Sequence, residues 1–137
     1  MDLKKYTTLF LDRDGVINHK IDGYVQCFSE FHFMEGALKS ISLLTKYFER
    51  IIIVTNQQGI GKKLMKEQDL LFLHSQMILE IERNGGKVNK IYFCPHLSTS
   101  NCSCRKPKPG MLLKSKEDFP EIEFDKSYLI GDSNSDI

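Results

Sequence analysis

Two short stretches of this chain carry residues whose types and spacing can do chemistry. In "LDRDGVIN", Asp12 and Asp14 stand two apart. In "CPHLSTSNCSCRKPKPGM", Cys94, His96, Cys102 and Cys104 fall close together, and Arg105 and Lys106 follow at once. Carboxylates so placed can hold a hard divalent cation or exchange protons with a substrate. Four Cys and His groups can fill the tetrahedral shell of Zn²⁺ and leave no position for a substrate, which makes the zinc structural. The other reading of the same residues is a Cys94–Cys102 disulfide, which leaves Cys104 over.

The compartment bears on that choice. The N-terminal run "MDLKKYTTLFLDRDG" lacks the apolar stretch and the small-residue cleavage site of a signal peptide. A cytoplasmic protein is therefore expected, and a reducing cytosol favours metal binding over a disulfide. Cys27, remote in sequence, is expected to be a small buried hydrophobe.

The elements that must position these groups can be read from periodicity. Residues 6–12, "YTTLFLD", read as a buried strand. Leu38, Ile41, Leu44 and Phe48 have helical spacing within residues 35–48. Residues 50–56, "RIIIVTN", form a continuous β-branched run, which suits a parallel strand covered on both faces. A second helix carries Leu70, Leu73, Met77 and Ile81 on one stripe and is stopped by Gly85 and Gly86. A third strand is expected over 87–94, a short helix opened by Pro109 over 109–119, and a fourth strand over 126–132. Strands alternating with helices predict an α/β fold, a Rossmann-like open parallel sheet with helices on both faces. Residues 23–33 read as a longer loop.

In such sheets ligands bind at the carboxyl ends of the strands. Those ends carry Asp12 and Asp14, then Thr55 and Asn56 of "VTNQQGIG", then the Cys/His loop with Arg105 and Lys106, and last Asp132 and Asp136 of "GDSNSDI". Carboxylates converging in one cleft repel, and Mg²⁺ resolves the repulsion. A lysine, a threonine hydroxyl and loop amides beside that cation make a phosphoryl site, in which a carboxylate can attack phosphorus. Taken singly, an Asp-x-Asp after a strand is more often a turn or a helix cap. The ordered combination at successive strand ends is what points to catalysis.

Composition limits the partners. The 137 residues suit one domain, 41% hydrophobic and 27% charged, with net charge +1. No apolar run is long enough for a membrane helix, so no membrane partner is expected. The near-neutral charge, with no aromatic and basic residues paired around the Cys/His loop, argues against nucleic acid. His19, five residues after Asp14, is a candidate substrate contact. His74 is read as a structural or exposed helix residue, His32 as a packed loop residue, and Lys62 with Lys63 as a solvated helix start.

"FLDRDGVIN", "VTNQQGIG", "CRKPKPGM" and "GDSNSDI" resemble the four motifs of haloacid-dehalogenase-type phosphatases, from about Leu9 to Ile137. The "CPH…CSCRKP" loop resembles the subgroup of D-glycero-D-manno-heptose 1,7-bisphosphate phosphatase and histidinol phosphatase. The resemblance implies a Mg²⁺-dependent phosphomonoester hydrolase working through an aspartyl-phosphate. It makes Asp12 the nucleophile and Asp14 the acid and then the base. It makes Thr55 and Asn56 phosphoryl ligands and Lys106 the neutralising cation. Mg²⁺ would be held by Asp12, the Asp14 carbonyl and Asp132, with Asp136 a nearby acid. "RKPKPGM" and "DGYV" favour the heptose enzyme, while the short Cys94-to-Cys102 segment is closer to the histidinol-phosphate type. Arg105 is the candidate contact for a second phosphate or for sugar hydroxyls. No insertion is large enough for a cap domain, so small loops must select the substrate. The family pattern normally continues past the last motif, so a single domain truncated at its C-terminus is expected, and a monomer. A non-catalytic zinc-binding interaction module is the alternative of a different class; the presence of both Asp12 and Asp14 argues against it.

Overall fold

A computed structural model describes residues 6–21 and 23–131. The elements run β1 (Tyr6–Leu11), α1 (Ala37–Leu44), β2 (Phe48–Asn56), α2 (Glu67–Arg83), β3 (Lys90–Cys94), α3 (Gly110–Asp118) and β4 (Ser127–Ile130), with single 3₁₀ turns at Phe28–Glu30 and Phe124–Lys126. The four strands form one parallel sheet in the order β3-β2-β1-β4. Each expected element is present, with ends shifted by a few residues, except that Phe48, expected on the first helix, opens β2 because α1 ends at Leu44. Asp132 and Asp136 lie outside the described residues.

The apolar runs explain the layering. Along β1 and β2, Leu9, Leu11, Ile51 and Ile53 face one side of the sheet and meet Ile41 of α1 and Leu70, Leu73, Met77 and Ile81 of α2. Phe10, Ile52 and Val54 face the other side and meet Met111 of α3, Tyr92 and Ile122. Both faces of the central strands are therefore buried, which is why their sequence is continuously apolar rather than alternating. Thr8 pairs with Arg50 and with Ser127, and Leu11 pairs with Ile53 and with Ile130. Asn56 pairs with Cys94 at the far end of the next ladder. This register brings the chemically distinctive residues to one edge.

Helix ends follow local rules. Glu67 and Asp69 in the first turn of α2 and Arg83 in its last complement the helix dipole. The chain then leaves through Gly85 at φ 87°, a left-handed conformation that glycine adopts without a Cβ penalty. Lys62 and Lys63 lie in a turn ahead of α2, not at its start, because α2 begins only at Glu67. Among the described residues no helix is long and apolar enough to cross a membrane.

Candidate active site and metal cluster

The site is built where β1 ends. The Asp12 amide continues the β1–β4 ladder by donating to the Ile130 carbonyl at 3.0 Å. The following turn closes on itself: the amides of Val16, Ile17 and Asn18 all donate to the Arg13 carbonyl. Gly15 takes φ 87°, a left-handed conformation that glycine adopts without a Cβ penalty. Asp12 and Asp14 are thus fixed on adjacent parts of a rigid turn.

Asp12 is 8% exposed, and its Oδ1 lies 3.0 Å from Lys106 Nζ. Oδ1 also accepts the Arg13 amide at 2.8 Å. Lys106 is carried there by its main chain. Its amide donates to Asn56 Oδ1 at 3.0 Å, and its carbonyl accepts from Asn56 Nδ2 at 3.4 Å. The side chain of Asn56 therefore clips the end of β2 to the segment that delivers Lys106.

Asp14 is held by a cluster of donors. Arg13 reaches Oδ1 with Nη2 at 2.8 Å and Nε at 3.2 Å, and Asn18 Nδ2 reaches it at 2.9 Å. Gln57 Nε2 donates to Oδ2 at 3.0 Å and to Thr55 Oγ1 at 3.0 Å. Burial alone raises the Asp14 pKa, but Arg13, Asn18 and Gln57 together outweigh it and hold the carboxyl below its ordinary value. Arg13, Asn18 and Gln57 are each fully buried. His74, from α2, is buried as well and lies 3.0 Å from Arg13 Nη1 through its Nε2.

The residues picked out in the sequence divide accordingly. Asp12, Asp14, Thr55, Asn56 and Lys106 come together within one set of contacts. Arg105 is half-buried beside Lys106, and its buried Nη1 has no hydrogen-bond partner among the described residues. His19 is exposed. Sequence reasoning missed Arg13, Asn18, Gln57 and His74. The first three sit inside the quoted motifs, where their closeness in sequence to Asp14 and Thr55 was the only signal. Only the fold brings His74 near.

The Cys/His loop follows β3. The ligand atoms of Cys94, His96, Cys102 and Cys104 all lie within 4.8 Å of one another. The Cys94 and Cys102 sulfurs are 3.8 Å apart. His96 Nδ1 is 3.4 Å from the Cys94 sulfur and 3.1 Å from that of Cys104. Cys94 and Cys104 are joined as a disulfide with Cα atoms 5.6 Å apart. The disulfide weighed against zinc in the sequence, Cys94–Cys102, is not the pair formed, and Cys102 is the residue left over. The Gly110 amide donates to the Ser103 carbonyl at 3.0 Å and folds this part of the loop back over β3, which places Cys104 against Cys94. Two further expectations fail: Cys27 and His32 are both exposed, because the segment around Phe28–Glu30 buries Val25 and Phe31 instead. Of the two readings of His74, structural or exposed, the structure gives the first, since it is buried.

The loop is tied to the site. The Gln57 amide donates to the Cys94 carbonyl at 2.7 Å, and the Gly61 amide to the Pro95 carbonyl at 2.9 Å. A Cβ on Gly61 would stand 2.7 Å from the Pro95 oxygen, so this approach depends on glycine.

Comparison with known proteins agrees with this arrangement. Residues 9–136 match the family model for polynucleotide kinase 3 phosphatase. A D-glycero-beta-D-manno-heptose-1,7-bisphosphate 7-phosphatase from Neisseria meningitidis is 39% identical over 94% of this chain and 68% of its own length. A D-glycero-alpha-D-manno-heptose-1,7-bisphosphate 7-phosphatase from Campylobacter jejuni is 44% identical over 97% of this chain and 75% of its own. Among solved structures, the D,D-heptose 1,7-bisphosphate phosphatase from B. bronchiseptica, complexed with magnesium and phosphate, superposes with a TM-score of 0.88 at 32% identity, covering 95% of this chain and 72% of that one. The chain belongs to the polynucleotide kinase 3 phosphatase family and, with the heptose bisphosphate enzymes it matches, to the haloacid-dehalogenase-type phosphatases.

Proposed function

We propose that this chain removes the 7-phosphate of D-glycero-D-manno-heptose 1,7-bisphosphate through an aspartyl-phosphate on Asp12. The observation that carries the reading is the Asp12–Lys106 pair at 3.0 Å, next to an Asp14 that four hydrogen bonds hold in place. The names borne by relatives covering nearly all of this chain supply the substrate, in preference to histidinol phosphate or to a non-catalytic zinc module.

An Asp12 carboxylate oxygen forms a bond to phosphorus as the bond from phosphorus to the sugar oxygen breaks. Asp14 is ionised before substrate enters; the negative charge of the incoming phosphate favours its protonation, and it passes that proton to the departing oxygen, then takes a proton from the water that attacks phosphorus and releases inorganic phosphate and free Asp12. Lys106 balances the charge of Asp12 and of the phosphoryl oxygens, and Thr55 offers its hydroxyl to them. Asn56 acts mainly on the Lys106 main chain, which it already grips. Arg105 contacts the second phosphate.

The Asp12 carboxylate and the Asp14 carbonyl would hold Mg²⁺, a hard cation that takes oxygen ligands, and the motif resemblance adds Asp132 as a third ligand and Asp136 as a further acid. When bound the cation neutralises the phosphate so that a carboxylate can approach. The relative solved with magnesium and phosphate supports that choice.

Reduced, the four Cys and His residues suit structural Zn²⁺. Zinc–sulfur bonds of about 2.3 Å in a tetrahedron give a sulfur–sulfur edge of about 3.8 Å, the separation of Cys94 and Cys102. We read the domain as a single phosphatase unit, cytoplasmic and monomeric, acting on a small phosphorylated sugar rather than on nucleic acid or at a membrane. The test is phosphate release from the α and β heptose 1,7-bisphosphates and from histidinol phosphate, with and without Mg²⁺. Turnover of a heptose bisphosphate only with Mg²⁺ is expected; faster turnover of histidinol phosphate would reverse the substrate assignment.

A further inference from the structure

The relation between α2 and the proton-transfer group goes beyond the roles above. We propose that His74 is a positioning residue for Asp14, acting through Arg13; this rests on the reading of Asp14 as acid and base.

Arg13 is a fully buried guanidinium with all its charge committed locally. One edge, Nε and Nη2, grips Asp14 Oδ1 at 3.2 and 2.8 Å. The remaining nitrogen, Nη1, meets His74 Nε2 at 3.0 Å from a residue 61 positions away. The Phe31 ring lies across the guanidinium, with Arg13 Cζ 5.8 Å from its centroid. Two hydrogen-bonded edges and one covered face fix the plane of Arg13, and that plane fixes the Asp14 carboxyl.

Chemistry assigns the direction of the bond. Arginine has no acceptor, so His74 must accept through Nε2 and carry its proton on Nδ1. Burial, with Arg13 close by, lowers the His74 pKa to about 3 despite the opposing pull of Asp14. His74 is thus neutral at working pH and can serve as that acceptor. Without it, a buried Nη1 loses its partner and the guanidinium is free to turn, taking the carboxyl with it. Displacement of a reacting group by about 1 Å is enough to cost on the order of 10²-fold in rate.

The test compares first-turnover rates on two esters, heptose 1,7-bisphosphate and p-nitrophenyl phosphate. The sugar alkoxide needs a proton to leave, and p-nitrophenolate does not. His74→Leu removes the acceptor, and His74→Gln keeps one. The Leu variant is expected to slow release of the sugar by about 10- to 100-fold and release of p-nitrophenol by less than about 3-fold. His74→Gln is expected to recover most of the loss. Equal slowing of both esters, or no recovery in His74→Gln, would show a merely structural histidine and overturn the proposal. If His74→Leu does not fold, His74→Phe, which also lacks an acceptor, takes its place under the same criteria. Asp14→Asn is measured alongside. If it shows no difference between the esters, the reading of Asp14 fails; if it does and His74→Leu does not, the relay through Arg13 fails alone.

Discussion

The Lys106 ammonium lies 3.0 Å from the Asp12 carboxylate, although the two residues come from the third β-to-α connection and from the turn that follows the first strand. Both are largely buried, with side chains 9% and 11% exposed. A buried cation and anion are costly unless paired, so each fixes the other. The pair also places a positive charge beside the proposed nucleophile, where a phosphate dianion must approach.

Lys106→Met should therefore leave binding of magnesium largely intact and lower kcat/KM for heptose bisphosphate by about 10²- to 10³-fold, the usual loss for a preorganised charge-stabilising group. Lys106→Arg should not recover the rate, because a planar fork does not replace a compact ammonium in a fixed space. Steady-state phosphate release checks both variants. Activity within about threefold of wild type in either would count against the role.

Zinc and the Cys94–Cys104 disulfide make opposite demands on Cys102. In the disulfide it is a bystander. In the zinc site it is a ligand, and its loss should weaken metal binding and lower the melting temperature. Protein prepared under reducing conditions is expected to carry about one zinc per chain, and Cys102→Ser much less. Unchanged metal content and stability in Cys102→Ser would favour the disulfide.

Gly110 ties the same loop to α3. A Cβ there would stand 2.3 Å from the Ser103 carbonyl oxygen and 2.7 Å from the Cys104 Cα, both backbone atoms with little room to yield. Gly110→Ala should destabilise the fold by about 1–3 kcal/mol, the range of a forced overpacking. Denaturant unfolding measures it. Because the displaced segment leads into Arg105 and Lys106, KM should rise as well.

Much of this was legible in the sequence, and the reasons are specific. Ile51 to Val54 are buried on both faces, so their unbroken apolar run announced a central parallel strand. The stripe of Leu70, Leu73, Met77 and Ile81 announced α2, and all four are buried. Asp12, Thr55 and Lys106 stood at strand ends, where parallel sheets gather ligands. What stayed hidden depended on contacts between distant segments. Arg13 carries no reading from the sequence, yet its charge is spent on Asp14 and His74. Cys27 read as a buried thiol because composition favours that, but the turn at Phe28–Glu30 points other residues inward. Asn56 read as a phosphate ligand; its carboxamide grips the Lys106 main chain, an interaction no local pattern signals.

The buried, neutral His74 gives a dependence of stability on pH. Its pKa falls from an ordinary 6.5 to about 3 on folding. The unfolded chain therefore binds more protons in that window. Stability is fully present above about pH 6.5 and is lost as the pH falls toward 3, by at most about 1.4 kcal/mol per pH unit from this group. His74→Gln should flatten the acid limb of the stability profile in urea unfolding. An acid limb as steep as wild type in that variant would assign the effect to other groups.

The central claim is that Asp12 attacks phosphorus. Asp12→Asn keeps the shape of the side chain and removes the nucleophile, so its most direct test is phosphate release from heptose 1,7-bisphosphate in the presence of Mg²⁺, with thermal unfolding run on the same samples. A folded Asp12→Asn protein whose turnover falls to background is the predicted result; a folded variant that releases phosphate at the wild-type rate would contradict the account.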